Sequence, residues 1–332
     1  MKKIVWFVGL LLPFAGYCQT KTVNGFAPAV ADKIIEITEA NLYNPELVND
    51  NAWVAFKGKV KEFTDTVTSV YSFRRSFNQE VGQLPFTHYF LMRKKSGQSL
   101  PQESGVRTQS NFIISEVDDN TVLLKARSFA TGKEEIEPVI AELKNRHFNT
   151  LILDMRGNGG GTIASALPLA QYLLSDTVYG GVFLTQKYFK RHRTLPTVEE
   201  YKNFVPFNQA SFALIIAGIH STEGLCLVIP PDPESFTGNL YVLVDGGTAS
   251  TCEPLAYSLQ YYKRGVLVGE TTAGAMMNGE IFNISDELDL FVPTADYYTV
   301  DGKKLDKVGV EPDIKVASDK ALDKVKELLL IN

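Results

Sequence analysis

This chain has few residues of the kinds that bind metals or form cross-links. Three cysteines and four histidines occur among its 332 residues. No Cys-x-x-Cys pair and no Cys/His spacing suggests a metal centre, so no metal is expected. Cys18 falls in an apolar leader, which leaves Cys226 and Cys252. These two could pair in an oxidising compartment or stand as two small buried residues. Positive charge is not in excess either. The 33 Lys and Arg residues against 38 Asp and Glu give a formal net charge of −5, which argues against nucleic acid as a partner. Beyond the first residues no run is long and apolar enough for a stable membrane span. The glycine-rich stretch near residue 159 is not followed by Gly-Lys-Ser/Thr, which weakens a nucleotide reading, and no cofactor is expected.

What is present begins with a leader. Lys2 and Lys3 precede an apolar stretch from Ile4 to Tyr17, interrupted by Pro13, and Gly16-Tyr17-Cys18 fits a cleavage site. The pattern predicts a signal peptide over 1–18, a mature start near Gln19, and export to the periplasm or the extracellular space. Cys18 raises lipoprotein anchoring as an alternative. Tyr17, larger than the Gly or Ala usual before a lipidated cysteine, argues against it.

Hydrophobic residues make up 45% of the chain, ordinary globular composition with length for one large domain plus a cap. Val30, Ile34 and Ile37 recur at helical spacing, and Val67, Val70, Tyr71, Arg74 and Phe77 suggest another helix, so 19–86 reads as a helical cap. From 87 to 332 strands alternate with helices, which predicts an α/β core with a partly parallel sheet. Lys94 to Gln109 reads as an exposed loop. Asp118-Asp119-Asn120 marks a hairpin between Phe112–Val117 and Thr121–Ala126. A helix is expected from Lys133 to about Arg146, with Pro138 tolerated only in its first turns. Residues from about 186 to 238 read as an insertion or lid. Within them, the basic run Lys187 to Arg193 could hold a carboxylate or be a solvated loop.

Two segments carry the chemistry. In the first, strand Leu151 to Asp154 runs into Met155-Arg156-Gly157-Asn158-Gly159-Gly160-Gly161. In the second, strand Val242 to Val244 runs into Asp245-Gly246-Gly247-Thr248-Ala249-Ser250-Thr251-Cys252-Glu253. A serine at a strand-to-helix turn, facing glycines whose N–H groups are bare of side chains, suits acyl transfer. It offers a nucleophile and a place for the oxyanion. Such a serine needs a base. His147, His192, His220 and His88 are the choices, and any lone histidine is more often a plain surface or core residue than a catalyst. Asp154 and Arg156 could simply brace their turn, and Glu253 its helix.

The Asp154–Gly161 and Thr248–Glu253 motifs resemble those of the C-terminal processing and tricorn-core serine peptidases of the ClpP/crotonase superfamily. So do Val268-Gly269-Glu270-Thr271-Thr272-Ala273-Gly274 and Val308-Gly309-Val310-Glu311-Pro312-Asp313-Ile314. The resemblance implies a ClpP/crotonase-like core of repeated ββα units. It also implies an exported serine peptidase that acts on a peptide or protein through an acyl-enzyme. Ser250 takes the nucleophile's place. The lysine of the processing branch is missing, since Ala275, Met276 and Met277 occupy its position. Thr87-His88 instead fits the tricorn-like hydroxyl–histidine pair, with His88 as general base and Asp306 where that branch has Glu. On this reading Asp306 fixes the imidazole tautomer, and Gly159 or Gly160 with Thr251 forms the oxyanion hole. Lys303 and Lys304 are then expected to be dispensable. No room is seen for the PDZ domain of the processing branch. The alternative is an inactive member of the family that binds a peptide or apolar ligand in the same cleft.

Overall fold

A computed structural model describes residues 26–94 and 110–331. The leader, the start at Gln19 and all but the first residue of the loop expected from Lys94 to Gln109 lie outside these residues. In chain order the helices are α1 (Phe26–Asn41), α2 (Asn51–Thr66), α3 (Val70–Glu80), α4 (Lys133–Lys144) and α5 (Ile163–Leu173). They continue with α6 (Gln186–Arg191), α7 (Phe212–Ser221), α8 (Cys252–Tyr261) and α9 (Ala321–Ile331). The strands are β1 (Phe90–Arg93), β2 (Phe112–Asp118), β3 (Thr121–Ala126), β4 (Thr150–Asp154), β5 (Val178–Thr185) and β6 (Val205–Phe207). After them come β7 (Gly224–Ile229), β8 (Asn239–Val244), β9 (Val266–Gly269), β10 (Met277–Asn283), β11 (Leu288–Tyr298) and β12 (Ile314–Lys315).

Helices α2 and α3 start where the sequence supplies caps. The Asp50 carboxylate accepts from Ala52 N–H, and Ser69 with Ser72 makes a reciprocal capping box, which satisfies donors a helix start leaves free. Their apolar faces do not form a core of their own. Trp53, Phe56, Phe73 and Phe77 pack with Tyr89 and Leu91 and with Leu288, Leu290 and Val292 of β11. The helices therefore share one apolar cluster with a strand of the following fold.

The remaining chain builds two six-stranded sheets. One has the order β12-β9-β8-β4-β3-β2 and is parallel except for the β2–β3 hairpin. Its central strand β4 is buried at every position, as a strand covered on both faces must be. The other sheet runs β1-β11-β5-β7-β6, with β10 also paired to β11, and is largely antiparallel. Strand β7 pairs with both β5 and β6, so part of the 186–238 segment is sheet. Pro138 is the sixth residue of α4, in its second turn and so within the first turns where it is tolerated. Among the described residues, no helix is long and apolar enough to cross a membrane.

Two consequences position the site. Parallel strands β4 and β8 are neighbours in register, Leu153 opposite Val242. Their C-terminal ends, where the two motif turns begin, therefore lie side by side. Strand β1 pairs with β11, which brings the 84–89 segment against the same end of the fold.

Candidate active site

The turn after β8 is fixed before Ser250 is reached. Asp245 Oδ1 accepts from Gly157 N–H and Gly247 N–H, each at 2.9 Å. Thr248 donates its hydroxyl to Met155 O at 3.0 Å, and Ala249 N–H donates to Asn158 O at 3.0 Å. These bonds lace the two motif turns together. Ser250 then adopts φ 55°, a left-handed conformation that is costly for a residue with a Cβ. Its N–H donates to Ala275 O at 2.9 Å and to the Glu253 carboxylate at 3.1 Å.

Glu253 is fully buried and does more than brace its helix. Its carboxylate also accepts from Thr272 Oγ1 at 2.6 Å, Gly274 N–H at 2.8 Å and Ala275 N–H at 2.9 Å. Burial pushes its pKa up, and these donors pull it back. The group thereby ties the serine's turn to the 272–275 loop.

His88 also has a left-handed backbone, φ 56°. The residues on either side hold it there. Phe86 and Tyr89 are both buried, with ring centroids 5.8 Å apart. His88 Nε2 lies 3.1 Å from Ser250 Oγ, and Nδ1 lies 3.0 Å from Thr87 Oγ1. Thr87 Oγ1 in turn donates to Asp306 Oδ1, while Thr87 N–H donates to Asp306 Oδ2 at 3.1 Å. The sequence reading had Asp306 orienting the imidazole itself. In the structure the carboxylate bonds Thr87, and the hydroxyl stands between acid and ring.

This order fixes the proton positions. An ionised carboxylate can only accept, so the Thr87 hydroxyl proton points to Asp306. The Thr87 oxygen is then free to accept from Nδ1–H, which leaves the Nε2 lone pair facing Ser250. Burial alone pushes the His88 pKa down to about 4, so the ring is neutral at ordinary pH and able to accept a proton. Burial raises the Asp306 pKa, and the Thr87 hydroxyl, the nearby Lys304 ammonium and the Met276 N–H oppose it.

The expected oxyanion donors differ from one another. Gly159 and Thr251 line a cavity together with His88 and Ser250. Gly160 does not serve as expected, because its N–H donates to Asn158 Oδ1 at 2.9 Å. Gly160 matters instead for close approach. A Cβ there would lie 2.6 Å from Ser250 Cβ and 2.7 Å from Ala249 O. The cavity measures about 390 Å³ and its walls are largely apolar.

Other expectations find plain structural partners. Arg156 forks onto Asp154 at 2.8 and 2.9 Å, and Lys125 joins them at 3.1 Å. His192 pairs with Glu223 and His220 with Glu280. In the basic run Arg191 also pairs with Glu223, and Arg193 with Glu46. Cys226 and Cys252 are free, buried thiols.

Sequence reasoning missed Asn158 and the pair Lys304–Asp296. Asn158 is fully buried and holds the glycine run to β3 by donating Nδ2 to Ala126 O at 3.0 Å. Lys304 Nζ lies 2.7 Å from Asp296 Oδ2, which also accepts from the Tyr298 hydroxyl at 3.0 Å. Lys304 is therefore engaged with a buried carboxylate. The available signal was Asp296 itself, an acid inside the apolar run from Phe291 to Tyr298.

Known proteins can be set beside this geometry. The chain is 29% identical over 178 residues to carboxyl-terminal-processing peptidase 2 of Arabidopsis thaliana, covering 54% of this chain and 28% of that one. It is 41% identical over 235 residues to a carboxyl-terminal-processing protease of Synechocystis, covering 66% of this chain and 45% of that one. It thus spans less than half the length of these relatives. In fold it is similar to a lipoprotein from Streptococcus agalactiae, with a TM-score of 0.60, 16% identity, and coverage of 97% of this chain and 98% of that one. Residues 120–316 match the profile described as peptidase family S41, and the chain belongs to that family.

Proposed function

We propose that this chain is a serine peptidase that cleaves peptide bonds through an acyl-enzyme on Ser250, with His88 as general base. The observation that carries the proposal is the 3.1 Å contact of His88 Nε2 with Ser250 Oγ at the mouth of the cavity. Ser250 Oγ attacks the substrate carbonyl as its proton passes to Nε2. The carbonyl oxygen becomes the oxyanion, held by the N–H groups of Gly159 and Thr251. The C–N bond then breaks, and the imidazolium returns the proton to the leaving amine. Water, deprotonated by the same ring, releases the acyl group. Asp306 acts through Thr87, stabilising the Nδ1–H tautomer and the cation formed in each step.

Membership in a peptidase family and the names of the chain's relatives support the reading. The test is a fluorophosphonate probe on the purified protein, with the modified residue mapped by mass spectrometry. Labelling at Ser250, abolished in Ser250→Ala, is the expected result. An active protein labelled at another serine, or not labelled at all, refutes the mechanism. An inert, unlabelled protein with a folded site would make it a binding member of the family.

We also propose export, from the leader Met1–Cys18. The intact mass of protein recovered outside the cytoplasm should correspond to a start near Gln19. A retained leader, or a diacylglyceryl group on Cys18, would overturn that.

A further inference from the structure

The cavity beside Ser250 is longer than a single small side chain needs. Both helices that wall it begin at the motif turns. Helix α5 starts just after Gly161 and presents Ile163, Ala166, Leu167 and Ala170 to it. Helix α8 starts just after Ser250 and Thr251, and its N-cap Thr251 lines the cavity with Pro254, Leu255 and Ser258 of the helix. Each set repeats at three- and four-residue steps over two helical turns, one stripe on one face. Seven rises of 1.5 Å along each stripe make a channel about 10 Å deep, with its mouth at the reactive serine. Phe183 and Leu227 of the antiparallel sheet line it as well.

Its chemistry is as uniform as its shape. Among the described residues, no Lys, Arg, Asp or Glu side chain lines it, so they offer nothing to neutralise a free carboxylate or amine. Burying an unpaired charge there would be costly. The volume, about 390 Å³, lies well above the roughly 150 Å³ of an apolar cavity that takes up benzene. Ala166 and Ala170 on one wall, and Ser258 at the far end of the other, leave that space open.

We propose that this channel binds an elongated apolar group on the acyl side of the scissile bond, about eight unbranched carbons long or an aromatic side chain of similar reach. The proposal rests on the acyl-enzyme reading for which side of the bond is bound, but not for the binding itself. The acyl side follows from direction. Thr251, whose N–H is to hold the carbonyl oxygen, is the first residue of the α8 stripe, so a group on the carbonyl carbon continues down that helix. The leaving group must stay near His88, which belongs to the mouth.

The experiment uses p-nitrophenyl esters from acetyl to dodecanoyl. In each, Ser250 Oγ forms a bond to the carbonyl carbon, p-nitrophenolate departs, and water then releases the acid. kcat/KM should rise about 100-fold from acetyl to octanoyl, as successive methylenes are buried, and should level off beyond decanoyl. Peptidyl p-nitroanilides with Gly, Leu, Phe or 2-aminodecanoic acid at the acylating position identify the source of the group. A preference for the long ester assigns a fatty acyl chain, and a preference for Phe assigns an aromatic side chain. Ala170→Phe and Ser258→Phe, on separate helices, should each move the optimum from about eight carbons to about four. Both are checked for a wild-type melting transition.

A second measurement separates this proposal from the peptidase reading. Binding of n-alkanols from butanol to dodecanol to Ser250→Ala, followed by calorimetry, should tighten up to about octanol. If affinity depends on chain length but wild-type protein hydrolyses no substrate, the channel stands and the peptidase reading falls. Hydrolysis with no dependence on chain length overturns the channel.

Discussion

His88 Nε2 stands 3.1 Å from Ser250 Oγ, and both residues hold a left-handed backbone, φ 56° and 55°. Neither is glycine, so each carries a conformational cost on the order of 1 kcal/mol or more. Aromatic packing around Phe86 and Tyr89 secures one, and the Ala275 and Glu253 hydrogen bonds secure the other. The imidazole nitrogen and the serine oxygen meet through backbone conformations that the surroundings impose.

That strain can be measured. Ser250→Gly should be more stable than Ser250→Ala by about 0.5–1 kcal/mol in urea unfolding, because glycine accepts positive φ without a Cβ clash. At an ordinary extended or helical position the order would be reversed. Ser250→Ala proving the more stable variant would mean that the turn relaxes away from the left-handed geometry in solution.

The Thr87 relay predicts an unusual mutational pattern. Thr87→Ser keeps a hydroxyl between Asp306 and Nδ1 and should retain most of kcat/KM. Thr87→Val keeps the shape but breaks both hydroxyl bonds, and should lose about 10²–10⁴-fold, as removing the support of a catalytic imidazole does elsewhere. Asp306→Asn should fall in the same range. Thr87→Val with near-wild-type rates would show that Asp306 reaches the ring without the hydroxyl.

Acid pH should be tolerated further than an exposed histidine would allow. On the proposed mechanism the base works as neutral imidazole, and burial lowers the His88 pKa from 6.5 to about 4. kcat/KM should therefore hold through pH 6 and fall only as the pH nears 4 to 5. For stability the sign follows from proton counts. Between 6.5 and 4 the unfolded chain binds a proton at this residue and the folded chain does not, so acidification through that window favours unfolding. His88→Ala removes this contribution and should show a flatter stability profile there. An acid limb centred near 6.5 would show that the ring is solvated.

Lys303 and Lys304 should behave differently although adjacent. Lys303 is exposed, pairs with Asp301 at 3.0 Å and meets the Tyr257 hydroxyl at 3.0 Å, so Lys303→Ala should cost under about 0.5 kcal/mol. Lys304→Met strands Asp296, whose side chain is 1% exposed. It should cost on the order of 3 kcal/mol and reduce turnover, because Lys304 also lies near Asp306. Lys304→Arg should recover part of both. Equal thermal shifts for Lys303→Ala and Lys304→Met would remove the distinction.

The parts of this architecture that were legible in the sequence are those that depend on neighbours along the chain. Val242 to Glu253 reads as a strand, a turn and a helix because apolar residues, glycines and a first-turn acid follow in that order. The helix at Val70 announces itself through the helical spacing of Val67, Val70, Arg74 and Phe77. His88 was legible only through a motif, since nothing in its local sequence distinguishes it from His192 or His220. The role of Gly160 was misread because glycines in a run look equivalent. Which of them keeps a free N–H depends on the Asn158 side chain folding back. The Lys304–Asp296 pair depends on which residues the chain's return after Asp301-Gly302 sets against β11. The channel between α5 and α8 depends on how two sheets face one another, which no local pattern encodes.

The bond from Thr87 to Asp306 spans 219 positions of the chain, and that from His88 to Ser250 spans 162. Contacts of such separation close large loops and are made late in folding. During synthesis Thr87 and His88 emerge first, and their partner Asp306 follows 219 positions after Thr87. A site built this way has a timer in its topology. The serine can be present and its turn formed while the acid arm is still in the ribosome, so on the proposed mechanism the site is complete only once Asp306 has emerged.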